Sequence, residues 1–206
     1  MELQISYDMP SLDQALNIAK HTAEFADILE VGSPLILKEG VKSVCEFKKN
    51  FPDKKIFADI KMVDRIETIK IFTDCGAKII SVLCATSHYV IQKAANIAHD
   101  NGAKLALDLL GDYSMGQIAM DAKALNVDIL ILHRPHEDGT VINILDEWET
   151  IRGNTDLPIF LAGGISRKNI DKVLELKPEG IIIGTSITQA NNPAKEAEYF
   201  RSLIKK

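Results

Sequence analysis

The chain has 206 residues, of which 46% are hydrophobic and 26% are charged, and this balance is typical of a globular domain and excludes a disordered chain. Its formal net charge of −5 argues against a nucleic-acid binder, because that function usually needs a basic face. No apolar stretch approaches the roughly 18 residues of a membrane span, and the first residues lack the pattern of a signal peptide. The sequence therefore predicts a cytoplasmic protein with neither a nucleic-acid nor a membrane partner.

Short apolar runs alternate with longer amphipathic segments along the whole chain. The runs are rich in Ile, Val and Leu, as buried parallel strands are, and they recur at intervals of roughly 20 to 30 residues, the length of one β–α unit. Eight strands are predicted, at Leu3–Tyr7, Asp27–Val31, Lys55–Asp59, Lys78–Leu83, Lys104–Leu109, Asp128–His133, Pro158–Ala162 and Gly180–Gly184.

The segments between these runs carry helix start and stop signals. Ser11 and Gln14 form a capping box, Gly76 and Gly102 stand where helices should end, and Asn192–Pro193 is typical of a helix start. No linker, low-complexity segment or block of charge interrupts the pattern. We therefore predict a single domain over residues 1–206.

Polar residues at the strand ends distinguish between the two folds that eight β–α units can form. Five ionisable residues lie at or near the C-terminal end of a different predicted strand: Asp8, Glu30, Asp59, Asp108 and His133. In a closed barrel these ends converge on one mouth, where active sites lie, whereas in an open sheet they are spread along an edge. Helix capping and loop solvation are the alternative, and they account for one or two such residues rather than five. The sequence therefore predicts a single (β/α)8 TIM barrel with one shared active site.

The end of the third strand holds a lysine between two carboxylates, in the order Asp59, Lys61, Asp64. Strand alternation places Asp59 and Lys61 on the same side. Neighbouring carboxylates favour the charged lysine and raise its pKa, so Lys61 suits a fixed cation that stabilises an anionic intermediate better than a Schiff-base nucleophile. The alternative is a surface ion pair at a strand end.

A metal site and a general base are predicted on the same rim. Glu30 and Asp59 end neighbouring strands, and two carboxylates suit Mg²⁺, which leaves room for substrate oxygens. A metal-free ion pair of Glu30 with Lys61 is the alternative. His133 ends the sixth strand and is a candidate general acid or base, although such a histidine is more often structural.

Glycine motifs follow the last two strands, at Gly163–Gly164 and at Gly184–Thr185. Glycines let a ligand approach the backbone closely, and N–H groups at a helix start attract phosphate. Phosphate binding after strands seven and eight recurs in barrels of this kind. The two motifs together predict a phosphate site.

The three cysteines, Cys45, Cys75 and Cys84, are scattered and form no C-x-x-C pair. In a reducing compartment such residues usually pack in the interior. The sequence therefore favours buried cysteines over a disulfide or a cysteine metal site.

These residues together resemble the orotidine 5′-monophosphate decarboxylase superfamily over nearly the whole chain. The likeness is carried by the EVGSPL segment that starts at Glu30 and by the D-x-K-x-x-D element of Asp59, Lys61 and Asp64. Glu30 stands where the nucleotide decarboxylases have a lysine, and His133 matches the histidine of the branch that acts on sugar phosphates. The chain is therefore similar to that metal-dependent branch.

Two enzymes of the branch are similar to this sequence, the 3-hexulose-6-phosphate synthases and the 3-keto-L-gulonate-6-phosphate decarboxylases. Asp108, Ala162 and Thr185 resemble the synthase pattern, whereas His133 followed by Arg134 resembles the decarboxylase pattern. The resemblance favours the synthase, which adds the enediolate of ribulose 5-phosphate to formaldehyde. The alternatives are the gulonate decarboxylase, an orotidine 5′-phosphate decarboxylase-like enzyme, and a catalytically silent sugar-phosphate-binding barrel.

The resemblance also implies roles for the site residues. Glu30 and Asp59 would hold Mg²⁺, His133 would move the proton, and Lys61 would stabilise the anion. Asp64 would orient Lys61 and reach the active site of a neighbouring subunit, which implies a homodimer. The residues expected to bind the substrate are Asp8, Asp108, Arg134, Gly163, Gly164, Gly184 and Thr185.

Overall fold

The computed structural model describes residues 1–111, 114–133 and 142–204. Eight parallel strands form a closed barrel in chain order, and the last strand pairs with the first. The strands are β1 (Glu2–Tyr7), β2 (Ile28–Val31), β3 (Lys55–Met62), β4 (Ile79–Leu83), β5 (Lys104–Asp108), β6 (Ile129–His133), β7 (Ile159–Ala162) and β8 (Gly180–Ile183). The predicted (β/α)8 barrel is confirmed.

Helices follow the strands around the outside of the barrel. They are α1 (Leu12–Thr22), α2 (Ser33–Glu39), α3 (Lys42–Asn50), α4 (Thr68–Asp74), α5 (His88–Asp100), α6 (Met115–Ala122), α7 (Ile142–Arg152), α8 (Ile170–Glu175), α9 (Thr185–Thr188) and α10 (Pro193–Ile204), with a short 3₁₀ helix at Ala23–Phe25. The Ser11 hydroxyl caps α1 by accepting the backbone N–H of Gln14 at 3.4 Å. Among these described helices, none has the length and apolarity needed to cross a membrane.

The strands are buried on both faces, which explains why they are nearly continuous apolar runs in the sequence. One layer of the core lies between the strands and the helices. A second layer fills the barrel interior with Ile28, Phe57, Ile79, Ala106, Ile129, Ile131, Phe160, Ala162 and Ile182. The Phe160 ring fits only because residue 180 is glycine, since a Cβ atom at Gly180 would lie 2.6 Å from that ring. The interior is therefore a packed core, and the chemistry lies at its rim.

Strand β3 departs from the predicted pattern. Seven strands begin and end within one residue of their predicted bounds, but β3 continues to Met62, three residues beyond the predicted end at Asp59. Ala58 pairs with Ile80 and Met62 pairs with Val82, so β3 carries two more residues than β4 over this stretch. This bulge holds two of the residues that the sequence predicts to be catalytic, Asp59 and Lys61.

The cysteine prediction is wrong for one pair. Cys45 in α3 and Cys75 after α4 form a disulfide, with their Cα atoms 4.6 Å apart. The two residues are separated by 30 positions in the chain, and only the packing of the helices that flank β3 brings them together. Cys84 is buried as expected.

Candidate active site

A cavity of about 440 Å³ opens at the C-terminal mouth of the barrel. Ten of the residues that the sequence predicts for the site line this cavity: Asp8, Glu30, Asp59, Lys61, Asp108, His133, Gly163, Gly164, Gly184 and Thr185. They come from β1, β2, β3, β5, β6, β7 and β8 or from the loops that directly follow them. Barrel closure therefore brings together residues that lie more than 170 positions apart in the chain.

Lys61 lies between two carboxylates within the bulge of β3. Its ammonium group pairs with Asp59 and lies 3.4 Å from Oδ2 of Asp108. Burial alone would lower the pKa of Lys61, but the negative charges of Asp59, Asp108 and Glu30 outweigh it and raise that pKa above its ordinary value. The surrounding carboxylates therefore favour the charged form of Lys61.

The carboxylate of Asp59 is held in place by two serine hydroxyls. Ser33, at the start of α2, donates to Oδ2 at 2.7 Å, and Ser81, on β4, donates to Oδ1 at 2.8 Å. The Ser33 hydroxyl also lies 2.8 Å from the carbonyl oxygen of Asp59. Such hydrogen bonds orient a carboxylate for a further partner in the cavity.

Glu30 is a buried acid, only 7% exposed, whose charge is poorly compensated. The Gln4 amide donates to its Oε2 atom at 2.6 Å. Burial raises the pKa of Glu30 well above its ordinary value, and the neighbouring charges of Asp59 and Asp8 raise it further. The ionised form of Glu30 is therefore unfavourable unless a cation other than Lys61 lies beside it, and without such a cation the group tends to take up a proton.

Asp8 is packed between two strand-end glycines. A Cβ atom at Gly32 would lie 2.1 Å from Oδ1 of Asp8, and one at Gly184 would lie 3.0 Å from Oδ2. Both positions therefore need glycine so that the carboxylate can lie against the backbone. Burial raises the pKa of Asp8, and the charge of Asp59 adds to the increase.

His133 is oriented by Asp108, on the neighbouring strand. Its Nδ1 atom lies 3.0 Å from Oδ2 of Asp108, whose Oδ1 accepts the backbone N–H of Leu110 at 2.9 Å. Burial alone would raise the pKa of Asp108, but the hydrogen bond from His133 and the charge of Lys61 lower it. An ionised Asp108 accepts a hydrogen bond from the Nδ1–H group, and this leaves Nε2 of His133 as the basic nitrogen.

The acids of the cavity suit a hard divalent cation by their donor chemistry. Asp8, Glu30, Asp59 and Asp108 face one lysine, and the raised pKa values of Glu30 and Asp8 reflect this excess of negative charge. Over the described residues, no three metal-ligating side chains form a cluster. A cation held by two carboxylates would complete its shell with oxygens from water or substrate, which is the usual mode for Mg²⁺.

The glycine motifs that follow β7 and β8 line another part of the cavity. Gly163 and Gly164 have φ angles of +100° and +63°, in the left-handed region that favours glycine. Gly184 directly precedes α9, whose first N–H groups have no partner within the helix. The two loops are held together by the Ser186 hydroxyl, which donates to the carbonyl of Ile165 at 2.6 Å.

Comparisons with known proteins identify the family. The model of the orotidine 5′-phosphate decarboxylase / HUMPS family matches residues 1–200. The chain belongs to this family. A 3-hexulose-6-phosphate synthase from Bacillus subtilis (strain 168) is 31% identical over 208 residues, which cover 99% of each chain.

Solved structures agree with this placement within the family. A 3-hexulose-6-phosphate synthase from Salmonella typhimurium superposes with a TM-score of 0.91 at 27% identity, covering 100% of this chain and 99% of that one. A 3-keto-L-gulonate-6-phosphate decarboxylase from Vibrio cholerae superposes with a TM-score of 0.86 at 25% identity, covering 99% and 97%. Both branch enzymes considered from the sequence thus have the same barrel.

One described residue of the predicted site, Asp64, does not line this cavity. The Asp64 side chain is 74% exposed and lies 3.5 Å from Nε of Arg65, and within the described chain Lys61 pairs with Asp59 and Asp108 instead. Within this subunit the Lys61 ammonium lies beside Asp59 and Asp108, and the role of Asp64 stays a prediction. Arg134 lies outside the described residues.

Three polar residues around the acids, of which Gln4 and Ser81 are buried and Ser33 is half-buried, were missed from the sequence. Gln4 contacts Glu30, and Ser33 and Ser81 contact Asp59. Gln4 lies four residues before Asp8, and strand alternation from that acid indicates that it faces the interior. The two serines gave no comparable signal, because serine is common both in helix starts and in strands.

Proposed function

We propose that this chain is a 3-hexulose-6-phosphate synthase, a lyase that joins the C1 carbon of ribulose 5-phosphate to formaldehyde. The observation that carries the proposal is the position of Lys61 between Asp59 and Asp108. A lysine held charged cannot form a Schiff base, but it can stabilise the enediolate that such a carbon–carbon bond requires. The full-length similarity to synthases from several organisms, at up to 31% identity, supports the same reaction.

His133 is the general base of the proposed reaction. Nε2 removes a proton from C1 of ribulose 5-phosphate, and the electron pair forms the C1–C2 double bond of the enediolate. C1 then attacks the carbon of formaldehyde while the C2 carbonyl re-forms, and the former formaldehyde oxygen takes up the proton held by His133 to become a hydroxyl. Asp108 stabilises the imidazolium formed in the first step through its 3.0 Å contact with Nδ1.

Lys61 supplies a fixed positive charge to the enediolate oxygen, which is worth about 3 kcal/mol by analogy with the loss of one stabilising donor elsewhere. Glu30 and Asp59 are proposed to hold Mg²⁺. When bound, this ion polarises the hydroxyketone oxygens of the substrate. Asp8 is suited to accept a hydrogen bond from a substrate hydroxyl, because the glycines on both sides leave room for its carboxylate at the cavity.

The phosphate is proposed to bind across the cavity, at the backbone N–H groups around Gly163, Gly164, Gly184 and Thr185. The positive φ angles of the first pair and the helix start after the second suit an anion. Arg134 is proposed to contribute to substrate binding, as the family resemblance implies.

The proposal includes a homodimer in which Asp64 acts at the neighbouring subunit's site. Its support is the exposure of Asp64, together with the exposed apolar Val63 beside it. Light scattering should give a mass near twice the 22.8 kDa of one chain. A fully active monomer would remove Asp64 from the mechanism.

The deciding experiment measures formaldehyde consumption by the purified protein with ribulose 5-phosphate, with added Mg²⁺ and after treatment with a chelator. We expect Mg²⁺-dependent loss of formaldehyde and equimolar formation of a hexulose phosphate. Consumption that is unaffected by the chelator would reject the metal but retain the synthase. Release of carbon dioxide from 3-keto-L-gulonate 6-phosphate, without formaldehyde consumption, would replace the synthase with the decarboxylase.

A further inference from the structure

Ser81 is a buried residue of β4 with 0% exposure, next to the bulge of β3. Among the described residues, Asp59 and Lys61 line the cavity whereas Ser81 does not. Ser81 contacts both of them. The sequence gives no role to this residue.

The Ser81 hydroxyl makes two hydrogen bonds whose directions are fixed. It donates to Oδ1 of Asp59 at 2.8 Å and accepts the backbone N–H of Lys61 at 2.9 Å. A hydroxyl has one hydrogen, a backbone amide can only donate, and an ionised carboxylate can only accept. One buried atom therefore connects the backbone of the lysine to the side chain of the acid.

The Lys61 backbone needs such a partner because its conformation is unusual. Its φ angle is +43°, in a region that residues with a Cβ atom rarely adopt. The two extra residues of β3 interrupt the regular pairing with β4 at this point. The Ser81 hydroxyl supplies the hydrogen-bond acceptor for the Lys61 amide within that interruption.

We propose that Ser81 is a positioning residue for the reaction. Its hydroxyl holds the bulge in the form that places the Lys61 ammonium between Asp59 and Asp108. This inference rests on the proposed function, in which that ammonium faces the developing anion. Small displacements of a catalytic group have large effects on rate, so the hydroxyl should affect turnover although it touches no substrate.

The first test compares three variants in the formaldehyde assay. We expect Ser81→Ala to lower kcat by roughly 10- to 100-fold, with KM for ribulose 5-phosphate within about twofold, because the proposed phosphate loops lie across the barrel. Ser81→Thr keeps the hydroxyl and should restore part of kcat. The matched control is Ser43→Ala, since Ser43 is equally buried and donates to the carbonyl of Gly40 at 2.6 Å, in α3. It should leave kcat unchanged.

The second test does not require activity. Hydrogen exchange at the Lys61 amide, measured by NMR, should be slow in the wild type and in Ser81→Thr, and faster in Ser81→Ala, while thermal melting followed by circular dichroism verifies folding. Should Ser81→Thr fail to fold, Ser81→Cys, whose sulfur is a weak acceptor, should give intermediate protection. Wild-type kcat and amide protection in Ser81→Ala, or an equal loss of kcat in Ser43→Ala, would overturn the proposal. A wild-type protein without synthase activity would reject the proposed function. The exchange data would still test whether the Ser81 hydroxyl fixes the backbone of Lys61.

Discussion

The two ends of the barrel use carboxylates in opposite ways. At the N-terminal end, Asp27 accepts two hydrogen bonds from Arg201 of α10, at 2.5 and 3.0 Å, and a third from the backbone N–H of Leu3 at 2.9 Å. Burial alone would raise the pKa of Asp27, but the hydrogen bonds and charge of Arg201 lower it. At the C-terminal mouth, the pKa values of Glu30 and Asp8 are raised instead.

The difference lies in the partners rather than in the residue type. Asp27 joins the first strand to the last helix through opposite charge, and this arrangement stabilises the fold. At the mouth, several acids face one lysine, and the ionised forms of Glu30 and Asp8 cost folding free energy. Active sites commonly retain such unfavourable arrangements for their function. The comparison therefore predicts that mutations at the mouth change activity, whereas mutations at the base change stability.

The largest effect is expected for Lys61→Ala, which should lower kcat by about 100- to 1,000-fold, because it removes the fixed side-chain charge that the proposal assigns to the anion. The fold should largely survive, because the other hydrogen bonds of the two acids remain. Asp59 is still bonded to Ser33 and Ser81, and Asp108 is still bonded to His133. The measurements are kcat in the formaldehyde assay and the melting temperature.

The control for Lys61→Ala is a lysine-to-alanine change at the base of the barrel. Lys54 donates to the carbonyl of Ala26 at 2.7 Å, near Asp27. Lys54→Ala should keep kcat and lower the melting temperature. Undiminished turnover in Lys61→Ala would remove this lysine from the mechanism.

Glu30→Gln separates activity from stability at the mouth. It should weaken the dependence of turnover on Mg²⁺ and, in chelator-treated protein, raise the melting temperature by about 2–4 °C for each 1 kcal/mol of relieved charge. Because the folded-state pKa of Glu30 is raised, its cost is fully present above that pKa and is relieved as pH falls through it. The stabilisation by the mutation should therefore shrink on acidification. A lower melting temperature in Glu30→Gln would show that the ionised acid stabilises the metal-free fold.

The fold could be predicted because each strand of a closed parallel barrel is buried on both faces and therefore forms an unbroken apolar run. The bulge in β3 could not, because the positive φ angle falls on a lysine and no glycine marks the position. The Cys45–Cys75 pair was likewise hidden, since it depends on how two helices pack rather than on spacing in the chain.

The part of the candidate site that could be predicted consists of the ionisable residues at the strand ends. Asp8, Glu30, Asp59, Asp108 and His133 were found in this way, and the barrel brings them together. Residues that support them, such as Gln4 and Ser81, lie within apolar strands, where a polar residue can as well be structural. The predicted contact between Asp64 and Lys61 rested on their order along the chain and on family resemblance rather than on strand geometry, and this one subunit does not contain it.

The smallest effect, at the base of the barrel, is expected for Asp27→Asn. This change should lower the free energy of unfolding by about 1 kcal/mol, since the ion pair is partly exposed and the asparagine can still accept a hydrogen bond from the Leu3 N–H. The melting temperature should fall by about 2–4 °C, with kcat unchanged. The matched control is Asp156→Asn, which removes a fully exposed pair with Lys123 and should leave the melting temperature unchanged.

The pH dependence of Asp27→Asn should be opposite in sense to that of Glu30→Gln. Because the folded-state pKa of Asp27 is lowered, its stabilisation is present above the unfolded-state pKa and is lost as pH falls through the folded-state pKa. Wild type and Asp27→Asn should therefore differ at neutral pH and converge in acid, where the protonated acid no longer pairs with Arg201. A difference in melting temperature that persists in acid would mean that Asp27 acts through packing rather than charge, and the two ends of the barrel would then differ in burial alone.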